Sequence, residues 1–304
     1  MTLTDTGEQI LRAPKPRWLT RSLPSKPEYE MVRSLIAKGG LHTVCQEARC
    51  PNQFECFSAR TATFLILGSC CTRNCGFCAI EHGQGSPPDP EEPRKVAQAA
   101  ADMGLRYVVV TSVTRDDLAD GGAGLFAQTI QEIRKKIPHA MIEVLIPDFQ
   151  GEESALRTVL DARPHVLNHN METVQRLYPG VRPQAVYERS LELMRRVKEY
   201  APDIPAKSGI MLGLGEREEE IEQILRDLHY AGCSFLTIGQ YLRPSEKHLA
   251  IKRYVPPEEF EQWKERALKI GFRAVAAGPF VRSSYHAGEM YGTCLKSDTN
   301  SPLI

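Results

Sequence analysis

Short apolar runs rich in β-branched residues recur along this chain, at 61–68, 106–113, 140–147, 165–171, 206–213 and 235–241. Each is about as long as a strand. Between and after them lie longer amphipathic stretches, at 92–103, 121–137, 152–162, 184–200, 216–231 and 257–270, which predict helices. Several stop at a glycine suited to a helix end, Gly104, Gly232 and Gly271, and Pro256 and Pro257 suit the start of the last one. The order is a strand–helix unit repeated six times. Such alternation predicts a parallel α/β sheet with right-handed crossovers, either an open doubly wound sheet or a curved barrel two units short of the closed eight-stranded form. A dinucleotide-binding sheet favours Gly-x-Gly-x-x-Gly after its first strand, and here Gly68-Ser69-Cys70-Cys71 takes that place.

Residues 1–60 precede the first strand without strong periodicity and are expected to form an extension over the domain. The core spans 61–271. Residues 272–304 form a C-terminal extension with a possible strand at 273–277. A chain of 304 residues with 42% hydrophobic side chains can bury a large core. Lys plus Arg and Asp plus Glu are both 38, so no global charge draws the chain to nucleic acid or to an anionic membrane. The apolar runs 63–67 and 107–110 fall far short of the roughly 20 residues that span a bilayer. The first 21 residues carry Asp5 and Glu8, lack an apolar stretch and contain Pro14 and Pro16. Neither a secretory signal nor a transit peptide is expected there, and a cytoplasmic location is.

Cysteine usage changes the picture. Seven of the nine cysteines fall within 34 residues: Cys70 and two triplets, Cys45-x4-Cys50-x5-Cys56 and Cys71-x3-Cys75-x2-Cys78. An odd total suits thiolate metal ligands in a reducing compartment better than a disulfide framework. Three thiolates leave one position of a [4Fe–4S] cluster open. The second triplet directly follows the first strand, on the face where barrels gather catalytic loops. Two other readings stay open for it: a zinc knuckle completed by His82, and a plant-type [2Fe–2S] spacing that starts at Cys70.

With Phe77 before its last cysteine, the second triplet resembles the signature of radical S-adenosylmethionine (SAM) enzymes. That resemblance implies three thiolates holding a cluster whose fourth iron takes the amino and carboxylate groups of SAM. Electron entry into the sulfonium then releases a 5′-deoxyadenosyl radical that removes hydrogen from an unactivated C–H bond.

The first triplet sits in Glu47-Ala48-Arg49-Cys50-Pro51-Asn52 followed by Glu55-Cys56, and Arg282-Ser283-Ser284-Tyr285-His286-Ala287-Gly288-Glu289 lies far downstream. Together these segments resemble the lipoyl synthase family, over 17–289. Biotin-synthase-like sulfur inserters and methylthio-transferases do not account for both segments, and a non-catalytic iron–sulfur or zinc module has no need of six strand–helix units. The resemblance implies a partial (β/α)6 barrel whose extensions cover the C-terminal face, and two [4Fe–4S] clusters. One would sit on Cys71, Cys75 and Cys78. The auxiliary one would sit on Cys45, Cys50, Cys56 and a serine oxygen, Ser283 in the family register, with Ser284 the alternative one position on. The implied reaction is insertion of two sulfur atoms at C6 and C8 of an octanoyl-lysine, one SAM per insertion, with sulfur drawn from the auxiliary cluster. Implied partners are octanoylated carrier domains, namely the 2-oxoacid dehydrogenase E2 subunits and the glycine cleavage H protein, and an electron donor such as ferredoxin or flavodoxin.

For SAM, strand ends offer Thr111, Ser112, Asn168 and Asn170, and Met211, Gly213 and Gly215 follow the fifth strand. Ser112, Asn168, Asn170 and Met211 are the expected contacts, although such residues are also ordinary turn formers. The segment from Gly213 to Glu216 resembles a loop near SAM in this superfamily, or simply caps the next helix. His42, His82, His165 and His169 are not needed by clusters of this kind. Arg49 has three readings: tuning the auxiliary cluster, contacting substrate amide groups, or forming a salt bridge. Lys15-Pro16-Arg17-Trp18 reads as a basic arm, a solvated segment or a carrier-docking one. Cys233 and Cys294 have no partner pattern, and Cys233 is expected in the core.

Overall fold

All six expected strands form, and each helix follows its strand. A computed structural model describes residues 15–20 and 27–292; Asp5, Glu8, Pro14 and Cys294 lie outside the described residues. The units are β1 (Thr63–Ile66) and α1 (Glu92–Asp102), β2 (Tyr107–Ser112) and α2 (Ala123–Lys136), β3 (Met141–Leu145) and α3 (Glu153–Asp161), β4 (Val166–Asn168) and α4 (Tyr187–Tyr200), β5 (Ala206–Leu212) and α5 (Glu218–Tyr230), and β6 (Cys233–Gln240) and α6 (Pro257–Ile270). Gly104, Gly232 and Gly271 do end their helices, at φ of 67°, 93° and 124°, where a side chain would strain the backbone.

Strands β1 to β6 pair in sequence order and in parallel, and β7 (Ala274–Gly278) extends the sheet beyond β6. The C-terminal stretch thus supplies a seventh parallel strand. At the other edge, His42–Thr43 runs antiparallel to β1, so the N-terminal extension enters the sheet immediately before Cys45. The strands are apolar because both faces are covered: all four positions of β1 are buried, as parallel sheets require. On α2, Phe126, Ile130 and Ile133 are fully buried at helical spacing, each contributing about 1.5–3 kcal/mol of burial. Its acidic entry and basic exit complement the helix dipole. Asp120 accepts from the Gly122 and Gly124 amides at 2.9 and 2.8 Å, and Arg134, Lys135 and Lys136 occupy the last turn.

Helix Pro27–Gly39 in the extension has no counterpart in the sequence reading. It buries only Val32 and Ile36, too thin a stripe to stand out, and part of its packing is aromatic: Tyr29 stacks on Phe54 with centroids 5.0 Å apart.

Charged groups also sit inside the sheet. The Lys207 ammonium donates to both Glu143 oxygens at 2.9 and 3.1 Å, and both residues are 1% exposed. Tyr107 Oη and Asn168 Nδ2 donate to the same carboxylate at 2.7 and 3.1 Å, which makes the burial tolerable. The C-terminal segment lies along this interior. Gly239 leaves room for it, since a Cβ there would fall 2.2 Å from the Val281 carbonyl oxygen, and Met290 packs with Val166, Phe235 and Ala274.

Removing one member of the buried pair leaves an uncompensated charge, so Lys207→Met is expected to destabilise the chain by about 3–5 kcal/mol. Combining it with Glu143→Gln, which removes the second charge and keeps an acceptor for Tyr107, should recover most of that loss. Urea midpoints of the three proteins check this; equal midpoints for Lys207→Met and the unsubstituted chain would contradict it.

Candidate active site

A cavity of about 550 Å³ opens at the C-terminal ends of the strands, and all six triplet cysteines line it. The loop that carries the second triplet leaves β1 through Leu67 and Gly68, both at positive φ, 69° and 85°. The turn is pinned by the Leu67 amide, which donates to the buried Glu92 carboxylate at 2.8 Å. Cys70–Cys71 then forms a short parallel ladder with Glu81–His82. Neighbours in such a ladder face opposite ways, so Cys71 lines the cavity and Cys70 does not. This geometry favours the triplet of Cys71, Cys75 and Cys78 over the spacing that begins at Cys70. His82 is exposed, and among the described residues no three His, Cys, Asp or Glu side chains converge on a single-ion position. A cluster asks for less convergence, because each thiolate meets its own iron.

The loop is braced on every side. Cys71 Sγ accepts from the Arg73 and Thr114 amides at 3.5 and 3.4 Å. The Arg73 guanidinium bridges Asp116 at 2.7 and 2.9 Å and Asp148 at 2.5 Å, tying the loops after β1, β2 and β3 together. Burial alone would raise the Asp148 carboxyl, yet its hydrogen bond and charge contact with Arg73 outweigh that and hold it at about 2. From the far side, the Leu249 amide donates to the Gly76 oxygen at 3.0 Å. His248 Nε2 donates to the Cys78 oxygen, also at 3.0 Å. Burial pushes the Cys75 thiol up to about 11 and the Cys78 thiol up to about 12, so uptake of iron there expels protons.

The first triplet arrives through His42–Thr43 and the helix Val44–Glu47, which Thr43 Oγ1 caps by accepting from the Gln46 amide at 3.3 Å. Burial and the neighbouring Cys50 push the Cys45 thiol up to about 12, against hydrogen bonds with Thr63. The C-terminal extension is tied down here by three bonds, two to the N-terminal extension and one to β1. Asn52 Nδ2 donates to the Phe280 oxygen at 2.7 Å, Thr63 Oγ1 donates to Ser284 Oγ at 2.7 Å, and Tyr285 Oη donates to Glu55 Oε1 at 2.7 Å. The serine pair divides between the two halves of the cavity. Ser284 faces Thr63 and, through it, Cys45, whereas Ser283 Oγ accepts from Asn170 Nδ2 at 2.6 Å.

Ser112, Asn170 and Met211 line the cavity. Asn168 does not; its amide is spent on Glu143. Gly213 and Leu214 donate their amides to Glu216 at 2.9 and 3.0 Å, a loop that closes on itself ahead of α5 and stays outside the cavity wall. His169 is buried neutral, its pKa lowered to about 4 by desolvation, with both ring nitrogens engaged by Ile146 O and Ser190 Oγ at 2.9 Å. Cys233 is buried. Five charged residues in the wall escaped the sequence reading: Arg73 and Asp148, Arg243, and Glu172 and Arg182. Half-buried Glu172, whose carboxyl is raised by desolvation, follows Asn170 by two positions and receives its amide at 3.1 Å. Arg182, brought back by the turn of helix Tyr178–Val181, donates to the Asn170 oxygen at 2.8 Å. Glu172 shares a strand end with Asn170 and was legible in principle; Arg182 had no local signal.

Several buried polar atoms of this wall lack a partner among the described residues: Ser112 Oγ, Asn170 Oδ1 and Arg182 Nε. Gly209 adds a recess, since a Cβ there would lie 2.6 Å from Thr237 Oγ1 and 2.9 Å from Asn170 Oδ1. Orphaned donors and acceptors beside three thiols fit a polar, charged ligand of the size and chemistry of SAM.

Residues 65–228 match the model of the radical SAM superfamily. The fold is similar to that of methylornithine synthase, with a TM-score of 0.54 and 16% identity over 89% of this chain and 78% of that one. It is also similar to Streptococcus suis SuiB bound to S-adenosylmethionine, with a TM-score of 0.54 and 12% identity over 81% and 53%. Fold and site together define an α/β enzyme of the radical SAM class. Curated relatives narrow this. The chain is 57% identical to the lipoyl synthase of Alkaliphilus metalliredigens over 90% of this chain and 95% of the relative, and 57% identical to that of Desulfotalea psychrophila over 96% and 97%. It is 53% identical to that of Proteus mirabilis over 94% and 89%. The chain belongs to the lipoyl synthase family, a sulfurtransferase that works with SAM and [4Fe–4S] clusters.

The two adjacent cysteines offer a direct check. Cys71→Ala is expected to abolish reductive cleavage of SAM and to lower the iron content of the reconstituted protein from about eight toward about four per chain. Cys70→Ala should leave both unchanged. The reverse pattern would reassign the triplet.

Proposed function

We propose that this chain converts an octanoyl-lysine of a lipoyl carrier domain into lipoyl-lysine, adding sulfur at C6 and C8 with two SAM consumed. The observation that carries the reading is that both cysteine triplets open onto one cavity, closed over by the two chain extensions. Cys71, Cys75 and Cys78 hold the radical-forming cluster, and Cys45, Cys50 and Cys56 hold the auxiliary one. When bound, these groups and SAM supply the electron, the hydrogen-abstracting radical and the sulfur. The protein's part is to orient and to exclude. Arg182 offers a guanidinium to the SAM carboxylate, Glu172 and Asn170 take its amino and hydroxyl groups, and Ser112 supplies a further hydroxyl. Met211 gives apolar contact. The largely apolar remainder of the wall, including Ile146 and Ile210, suits an alkyl chain and keeps water from a reactive carbon.

Of the two serines in the Arg-Ser-Ser-Tyr motif, Ser284 has the stronger support as the fourth auxiliary ligand, because its Oγ shares Thr63 with Cys45. Ser283 is the other reading, and its bond to Asn170 fits a role on the SAM side. A hard oxygen ligand holds iron less firmly than thiolate, which suits a cluster that gives up sulfur. The carriers are E2 subunits and the H protein, the reductant is a ferredoxin or flavodoxin, and the setting is the cytoplasm. In the described residues no helix is long and apolar enough to cross a membrane.

Anaerobic reconstitution followed by incubation with an octanoyl-lysine peptide, SAM and a reductant tests the reading. Two 5′-deoxyadenosines per lipoyl group are expected. Ser284→Ala should lose sulfur insertion while keeping SAM cleavage, and Ser283→Ala should keep the auxiliary cluster's Mössbauer spectrum. SAM cleavage without sulfur transfer by the unsubstituted enzyme would refute the function, and an unaltered auxiliary spectrum in Ser284→Ala would return the ligand to Ser283.

A further inference from the structure

The carbons that receive sulfur lie at the end of an acyl-lysine arm, so the folded body of the carrier stays outside while the arm enters the cavity. The rim of the mouth must therefore accept a protein surface. On one side the rim is a short, anchored arm. Lys15 lines the cavity, and Arg17–Leu19 forms a 3-10 turn held down by Leu19, which is 8% exposed, while Trp18 stands 42% exposed. The same cavity is also lined by Arg49, an exposed residue held at φ 51°, a conformation a non-glycine adopts at some cost in strain.

Most other cations on helix surfaces are either paired, as Arg33 with Glu30, Lys95 with Asp89, Arg157 with Glu153, Arg195 with Glu192 and Arg266 with Glu218, or sit in the last turn of a helix, as Lys38, Lys136, Lys198 and Lys269 do, where the dipole favours them. Among the described residues Lys15, Arg17 and Arg49 have no carboxylate within ion-pair distance. In a chain of zero formal charge, unpaired cations gathered at one mouth beside an exposed tryptophan are a local feature. Trp and Arg are the residues that dominate binding at protein interfaces.

We infer that Lys15, Arg17, Trp18 and Arg49 form the docking face for the carrier domain, receiving a patch with carboxylates around the octanoyl-lysine and an apolar or planar group against Trp18. The inference rests on the function proposed above and names the surface that recognises its protein substrate. Rim charges act mainly on encounter and on KM, and salt weakens them.

The test compares two substrates of the reconstituted full-length enzyme: an octanoylated carrier domain and a short uncharged octanoyl-lysine peptide. Arg17→Glu and Trp18→Ala are expected to lower kcat/KM on the carrier about 10-fold each, chiefly through KM, with a shallower salt dependence for Arg17→Glu. Turnover of the peptide should change less than about twofold, and thermal unfolding confirms that the variants are folded. Unchanged kinetics on the carrier would overturn the inference, as would equal losses on carrier and peptide, which would make the arm a support of the site. Calorimetric titration of the octanoylated carrier into the enzyme without SAM separates docking from function. If the unsubstituted enzyme turns over neither substrate, the proposed function fails. Docking then stands only if the carrier still binds and Arg17→Glu weakens that binding.

Discussion

Three hydrogen bonds hold this active site together from opposite ends of the chain. Asn52 to Phe280, Thr63 to Ser284 and Tyr285 to Glu55 link residues 228, 221 and 230 positions apart. Without them the first cysteine triplet is a loop on a short extension, and the Arg-Ser-Ser-Tyr motif is a turn beyond the last strand. Closing loops of that length costs more than such bonds return singly, so neighbouring packing must share the work. His42–Thr43 adds to the edge of the sheet on one side, β7 extends it on the other, and Met290 anchors the C-terminal segment among Val166, Phe235 and Ala274.

The barrel supplies rigidity where the chemistry needs it. Arg73 sits between two cysteines of the second triplet, yet its side chain reaches sideways to bolt three strand-end loops into one frame. The Lys207–Glu143 pair links β5 to β3 across β4 and also engages the Asn168 amide. Asn168, beside that pair, and Ser112, Asn170 and Arg182 each keep a buried atom without a partner among the described residues. The last three gather in the cavity wall with the second triplet, which marks where a polar ligand belongs.

Much of this was legible in the sequence, for identifiable physical reasons. Parallel strands covered on both faces read as continuous β-branched runs, so 106–113 and 206–213 announced β2 and β5, and glycines at positive φ marked the helix ends. The thiols were legible because their spacing follows neither the strand nor the helix period and so stands out from packing. Roles set by side-chain direction were not. Asn168 and Asn170 look equivalent as letters, but Asn168 closes β4 beside Lys207 and the buried Glu143 carboxylate, whereas Asn170 lies beyond the strand's end and lines the cavity. Ser283 and Ser284 differ by one residue and face different partners. Arg182 and the helix Pro27–Gly39 depend on long-range contacts for which no periodic pattern exists.

The central claim is that the first triplet holds a reactant within reach of the same acyl chain that the second triplet's radical activates. Loading the protein with ³⁴S-labelled sulfide, removing excess sulfide and running a single turnover tests it most directly, with the lipoyl product read by mass spectrometry. The account predicts that both sulfur atoms of the product carry the label, and that Cys50→Ala yields none. A product with unlabelled sulfur, or a labelled product from Cys50→Ala, would contradict it.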